Sequence, residues 1–90
     1  IANNTSSLVN ILLPLTSSIG DIIKISGKGI GLWKLNQNIS GTIHFGNQDT
    51  TTGTGGSIAS ILRYDSIELL CIVANNEWNI ISSVGNLTIT

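Results

Sequence analysis

The stretch Tyr64-Asp65-Ser66-Ile67-Glu68-Leu69-Leu70-Cys71-Ile72-Val73-Ala74 decides the fold. Ile67, Leu69, Cys71 and Val73 recur at every second position, with Ser66, Glu68, Leu70, Ile72 and Ala74 between them. A period of two is that of a strand, whose side chains point alternately to the two faces of a sheet. The first half is polar on one face and the second half is apolar on both, as expected of a central strand. Asn75-Asn76 then reads as a two-residue hairpin turn, since asparagine tolerates positive φ. Residues 78–82 return antiparallel, and residues 86–90 close the sheet after Gly85.

Upstream, the same reasoning yields more strands. Residues 7–13 form the first, stopped by Pro14, which lacks an amide proton and fixes φ. Gly20-Asp21 is a turn signal. Residues 22–26 form the second strand, with Ile23 and Ile25 on one face and Ile22, Lys24 and Ser26 on the other. Gly27, Gly29 and Gly31 alternate, which predicts a close backbone approach, a bulge or a tight turn. Residues 32–37 form the third strand, with Trp33 and Leu35 sharing a side. Residues 38–45 form the fourth, in which Ile39, Thr42 or Ile43, and Phe45 compete for the core side, with Ile43 and Phe45 sharing one face and Thr42 and His44 the other. Residues 46–56 hold no large apolar side chain and read as an exposed loop. Residues 57–62 resume an apolar pattern. Val, Ile and Thr, stiff at χ1, favour strands throughout, and no window shows a capped helical period.

The expectation is an all-β domain of seven to eight short, mostly antiparallel strands, a small β-sandwich or jelly-roll-like roll. One domain spans residues 1–90, with residues 1–7 able to act as a linker from a preceding region. No apolar run reaches the length of a membrane span, so no membrane insertion is expected.

Composition adds a constraint. Only 10% of residues are charged and 41% are hydrophobic, whereas an ordinary domain carries roughly 25% charged residues. A domain this small has a thin stability margin. The single cysteine, Cys71, cannot close an internal disulfide, and no cysteine–histidine cluster has zinc spacing. Oligomerisation through a nearly neutral interface, or an unusually efficient core, is the remaining support. Lys24, Lys28, Lys34 and Arg63 are dispersed, which is no nucleic-acid footprint.

Candidate sites divide as follows. The Gly53-Thr54-Gly55-Gly56-Ser57 run lacks the lysine and following helix of a phosphate-binding loop and reads as a turn. His44, the only histidine, has Asp49, Ser57 and Ser60 near it in sequence, but no nucleophile elbow, and reads as a strand-surface residue. In an oligomer it could confer pH dependence. Asp65 next to Arg63 is expected to form a structural pair. Cys71 reads as a buried small hydrophobe. Trp33 and Trp78 alternate with Leu35 and Ile80, which favours packing, although an exposed indole would stack on a sugar or anchor a protein partner. The amides and hydroxyls of Asn47, Gln48, Asp49, Thr50, Thr51 and Thr52 suit hydrogen bonding to a sugar. With the two tryptophans they make the candidate ligand-binding set. No catalytic residue, metal ligand or cofactor is expected.

Several segments together carry a resemblance. They are Gly31-Leu32-Trp33-Lys34-Leu35-Asn36-Gln37-Asn38, Ile43-His44-Phe45-Gly46-Asn47, the run from Thr50 to Ser57, Tyr64-Asp65-Ser66-Ile67-Glu68-Leu69-Leu70-Cys71, and Trp78-Asn79-Ile80-Ile81-Ser82-Ser83-Val84-Gly85-Asn86-Leu87. This pattern resembles a C-terminal β-structured tip module found at the ends of phage tail-fibre and tailspike proteins and of bacterial surface or secreted proteins. The resemblance implies a homotrimeric, non-enzymatic head on a virion fibre or cell surface. Such a head would contact a host cell-surface glycan or protein, or lock the trimer in register. The positions it carries over are structural: Trp33, Gln37, Asn38, Phe45, Gly46, Gly53, Gly56, Asp65, Cys71, Trp78, Ser83, Gly85 and Asn86. Two alternatives stand beside it, a trimer-locking cap without a ligand and a monomeric carbohydrate-binding module.

Overall fold

A computed structural model describes all residues, 1–90. Nine strands run in the order β1 Val9–Leu12, β2 Ile22–Ser26, β3 Trp33–Asn36, β4 Thr42–Phe45, β5 Gln48–Asp49, β6 Ser57–Ser60, β7 Ser66–Val73, β8 Glu77–Val84 and β9 Leu87–Ile89. They form two sheets in a sandwich-like arrangement, one ordered β1-β3-β6-β9 and the other β2-β7-β8-β4-β5. Both sheets are mixed: β1 runs parallel to β3 and β4 parallel to β8, while the other neighbours are antiparallel. No helix is long and apolar enough to cross a membrane.

Alternation decides which side chains meet between the sheets. The four-stranded sheet contributes Trp33, Leu35 and Ile58, and the five-stranded sheet Ile25, Ile43, Ile67, Leu69, Cys71 and Trp78, all buried. Val9, Ile11, Ile23, Phe45, Ile80, Leu87 and Ile89 complete the layer. The inward set read from the long strand is therefore right for Ile67, Leu69 and Cys71. It fails for Val73, because the register shifts after Cys71: Val73 pairs with Glu77 and is exposed.

Local departures have local causes. Leu32 sits at φ +66°, outside the strand region, so β3 begins at Trp33 and not one residue earlier. The hairpin between β7 and β8 has three turn residues rather than two, Ala74-Asn75-Asn76, with Asn75 at φ +68°. Ile81 is an extra residue in β8, because Leu69 pairs with Ile80 and Glu68 with Ser82. The glycine run is a close approach. A Cβ on Gly29 would meet the backbone of Asn4, and one on Gly31 the backbone of Ser7. The opening residues thus lie along this run: Ala2 is buried, bridges Gly27, and accepts the Lys28 N–H at 2.8 Å.

Candidate functional site

The segment 46–56 is not the uniformly exposed loop that its composition suggests. Gly46, at φ +61°, turns the chain so that β5 pairs back on β4, matching His44 with Asp49. Asn47, Gln48 and Asp49 are exposed, as are Thr51 and Thr52. Thr50 between them is buried. Its hydroxyl donates to the Gln37 side-chain carbonyl and accepts the Ile43 N–H. The Gln37 amide nitrogen in turn faces the carbonyls of Gly41 at 2.6 Å, Thr51 at 2.8 Å and Gly53 at 3.1 Å. Apolar content signals hydrophobic burial only. A buried amide closing a polar loop leaves no trace in that count, so Gln37 and Thr50 escape a reading by hydropathy.

Neither tryptophan is available for stacking: Trp33 is 0% exposed and Trp78 1%. The Trp33 indole N–H donates to the Asp65 carbonyl at 2.9 Å, whereas the Trp78 N–H has no partner. The packing alternative for both is the one observed.

On the outer face of the five-stranded sheet, three neighbouring strands bring three titratable groups into a row. His44 Nδ1 lies 2.6 Å from Asp49 Oδ1, and His44 Nε2 lies 2.7 Å from Glu77 Oε1. A neutral imidazole has one N–H, and would leave a lone pair against a carboxylate. The imidazolium has two and satisfies both neighbours. The hydrogen bond to Asp49 is the larger cause of a raised His44 pKa, the bond to Glu77 the second, and partial burial opposes both. The carboxylates lie on opposite edges of the ring and do not converge on a common point. No cluster of three or more such groups that could hold a metal ion occurs. Of the residues near His44 in sequence, Asp49 meets it, whereas Ser57 and Ser60 lie in β6 of the other sheet.

The rest of that face holds the one cavity, an open trough of about 240 Å³ across β2, β7 and β8. Register explains it. Ser26 faces Ser66, which faces Val84, and Lys24 faces Glu68, which faces Ser82. Short serine side chains leave a depression beside the Lys24–Glu68 ion pair at 3.3 Å. No sequence signal marked this place, because its members come from three separate strands.

Asp65 is buried, and its partners correct the expected pairing with Arg63. Its Oδ2 accepts the Ile61 and Leu62 N–H groups, each at 2.9 Å, while Gly85 lies against Oδ1. Arg63 instead donates through Nε to the Lys28 carbonyl at 2.7 Å and lies 5.2 Å from the Tyr64 ring centre. The sequence placed the two in a pair by adjacency, but the turn before β7 claims the carboxylate for its own amides. Cys71 is buried and free, with Sγ 3.3 Å from the Ser17 hydroxyl. Gly53 and Gly56 are buried under the loop, and Gly85 and Asn86 form the exposed turn into β9.

One end of the sandwich has its own character. Ser17 N–H donates to the Asn75 side-chain oxygen at 2.7 Å, and Asn75 N–H to the Ser17 hydroxyl at 3.0 Å. The Asn38 amide reaches the Pro14 carbonyl at 3.0 Å and that of Asn75 at 3.4 Å. Three loops are thereby tied together, and Leu15, Ile19 and Ile39 project from them into solvent. No known protein family, curated protein or solved structure matches the chain.

Proposed function

We propose that this chain is a non-enzymatic, self-associating tip module of a fibre or surface protein, trimeric as its sequence resemblance implies. The observation that supports this most is the surface. Fifteen large hydrophobic side chains are exposed on a chain with only 10% charged residues. Single exposed apolar residues are ordinary, but so many on so few charges favour a partner surface. A jelly-roll-like protomer that associates around a threefold axis, on a virion or bacterial surface, is part of the same reading.

Burial of both indoles weakens the alternative of a monomeric module that stacks sugars on tryptophan. It leaves the trimer-locking cap as the simpler form of the proposal. Receptor contact, in the fuller form, falls to the exposed amides and hydroxyls of Asn47, Gln48, Thr51 and Thr52, and not to Thr50 or the tryptophans. The test is light scattering over a range of concentrations. A mass of three chains is expected. A mass of one chain at every concentration would overturn the reading.

A further inference from the structure

We propose that the trough across β2, β7 and β8 is a binding site for one neutral sugar ring. All of its groups come from a single chain, so the site does not rest on the self-association proposed above. It is also apart from the Asn47–Thr52 loop, since β4 stands between β8 and β5. Two cross-strand rows build it: Ser26, Ser66 and Val84 in one, Lys24, Glu68 and Ser82 in the next. Just past the second row, Ile81 is an extra residue in β8 without a partner on β7, and a bulge of this kind bends its strand and re-aims the neighbouring side chains. The resulting depression of about 240 Å³ falls short of the roughly 300–1,000 Å³ that drug-sized ligands occupy, and suits a single ring.

Its polar groups are held in place but keep bonding capacity. Glu68 Oε2 lies 3.3 Å from Lys24 Nζ, and Oε1 accepts the Ser82 hydroxyl at 3.4 Å. The Ser66 hydroxyl donates to the Tyr64 carbonyl at 3.1 Å or to Ser26 Oγ at 3.4 Å. An ionised carboxylate offers about four acceptor positions, an ammonium three donors and each hydroxyl two lone pairs, so donors and acceptors remain side by side. Neighbouring hydroxyls on a ring donate and accept at once and match that mixture, while Val84, 64% exposed, meets the C–H face of the ring. Charge narrows the ligand further. Lys24 is already countered by Glu68, and Arg63 is turned to the Lys28 carbonyl, so an anionic sugar or a phosphate would face Glu68 without a free cation. A cationic ligand would face Lys24. An apolar one would strip water from both charges. A neutral polyhydroxylated ring avoids all three penalties.

The experiment follows the backbone amide NMR spectrum of the wild-type chain as D-glucose, D-galactose, D-mannose and N-acetyl-D-glucosamine are added separately at millimolar concentration, with N-acetylneuraminic acid as the anionic comparison. At least one neutral sugar is expected to shift the amides of residues 24–26, 66–68 and 82–84 saturably, and the acid to shift none. Glu68→Gln removes the charged acceptor, and Ser82→Leu fills the trough from an exposed position. Each is expected to weaken binding of that sugar by about tenfold or more, and Asn47→Ala to leave it unchanged. Circular dichroism checks that the variants fold. Shifts that gather instead at residues 47–52 would overturn this site and give the sugar to the loop, leaving receptor contact as proposed above. Binding of the acid alone would overturn the neutral class of ligand. No saturable shift with any of the four sugars, or binding untouched by both trough variants, would overturn the site outright. Light scattering, measured separately, decides the self-association reading in every case.

Discussion

The indole N–H of Trp33 donates to the backbone carbonyl of Asp65 at 2.9 Å and so joins the two sheets. Trp33 opens β3 in one sheet, and Asp65 immediately precedes β7 in the other. The same carbonyl accepts the Gly27 N–H at 3.1 Å, which anchors the end of β2 at that point.

Trp78 makes the comparison that measures this bond. It is as buried as Trp33 but its N–H has no acceptor. Trp33→Phe and Trp78→Phe share the loss of ring volume. Only the first also removes a satisfied hydrogen bond, while the second removes an unsatisfied donor. Trp33→Phe is expected to be the more destabilising by about 1–2 kcal/mol in urea denaturation. Equal costs would show that the sheet-joining bond contributes nothing.

The turn into β9 depends on a missing side chain. Gly85 is at φ +93°, and a Cβ there would overlap the Asp65 carboxylate that accepts the Ile61 and Leu62 amides. Gly85→Ala therefore carries both backbone strain and the disturbance of a buried acceptor, an expected loss of about 2–4 kcal/mol. Gly20 is the control. Its φ is +97°, but nothing lies within 4 Å of the added atom. Gly20→Ala should cost about 1–2 kcal/mol, the conformational part alone. Thermal melts of the two variants check the difference, and a Gly85 variant no worse than the Gly20 variant would remove the Asp65 contact from the account.

Thr50 and its neighbours separate stability from surface. Thr50→Val keeps the shape but strips the hydroxyl that serves Gln37 and the Ile43 N–H. Two buried polar groups would lose their partner, an expected loss of about 2–4 kcal/mol. Thr51→Val and Thr52→Val, on exposed side chains, should stay within about 0.5 kcal/mol of wild type. Chemical denaturation of the three variants decides it. A harmless Thr50→Val would mean that the Gln37 cluster does not hold the loop.

This contrast also shows what the sequence could reveal. Strand faces were legible wherever alternation was strong: Ile23 and Ile25, Trp33 and Leu35, and Ile67, Leu69 and Cys71 all face inward, because period two fixes the side. Strand β5 was not legible, since Gln48 and Asp49 carry no hydrophobic signal and pair only through a glycine turn. The parallel pairings of β1 with β3 and β4 with β8 were equally hidden, because periodicity gives the face of a strand but not its neighbour. Of the candidate site, His44 was noticed as a surface histidine near Asp49. Its second carboxylate, Glu77, comes from β8, 33 positions away, and only the sheet brings it there.

That second carboxylate makes the pH dependence of the β5 edge a measurable quantity. His44 is raised above its ordinary pKa of 6.5, first by the hydrogen bond to Asp49 and then by that to Glu77. Between 6.5 and the raised folded value, the folded chain binds more protons than the unfolded one, so stability falls as pH rises. The contribution is fully present below 6.5 and is lost as pH climbs through the folded pKa. The Asp49 side chain is 65% exposed, so solvent screens the row and the total stays below about 1 kcal/mol. The effect should be local: amide exchange in Gln48 and Asp49 accelerates above that pH more than base catalysis accounts for, while β7 keeps its protection. An imidazole titration by NMR should give a midpoint above 6.5. Asp49→Asn should lower it further than Glu77→Gln does, following the order of the two causes. A midpoint at or below 6.5 in the wild type would mean that the ring does not hold both carboxylates in solution, and that β5 is held by its backbone pairing to β4 alone.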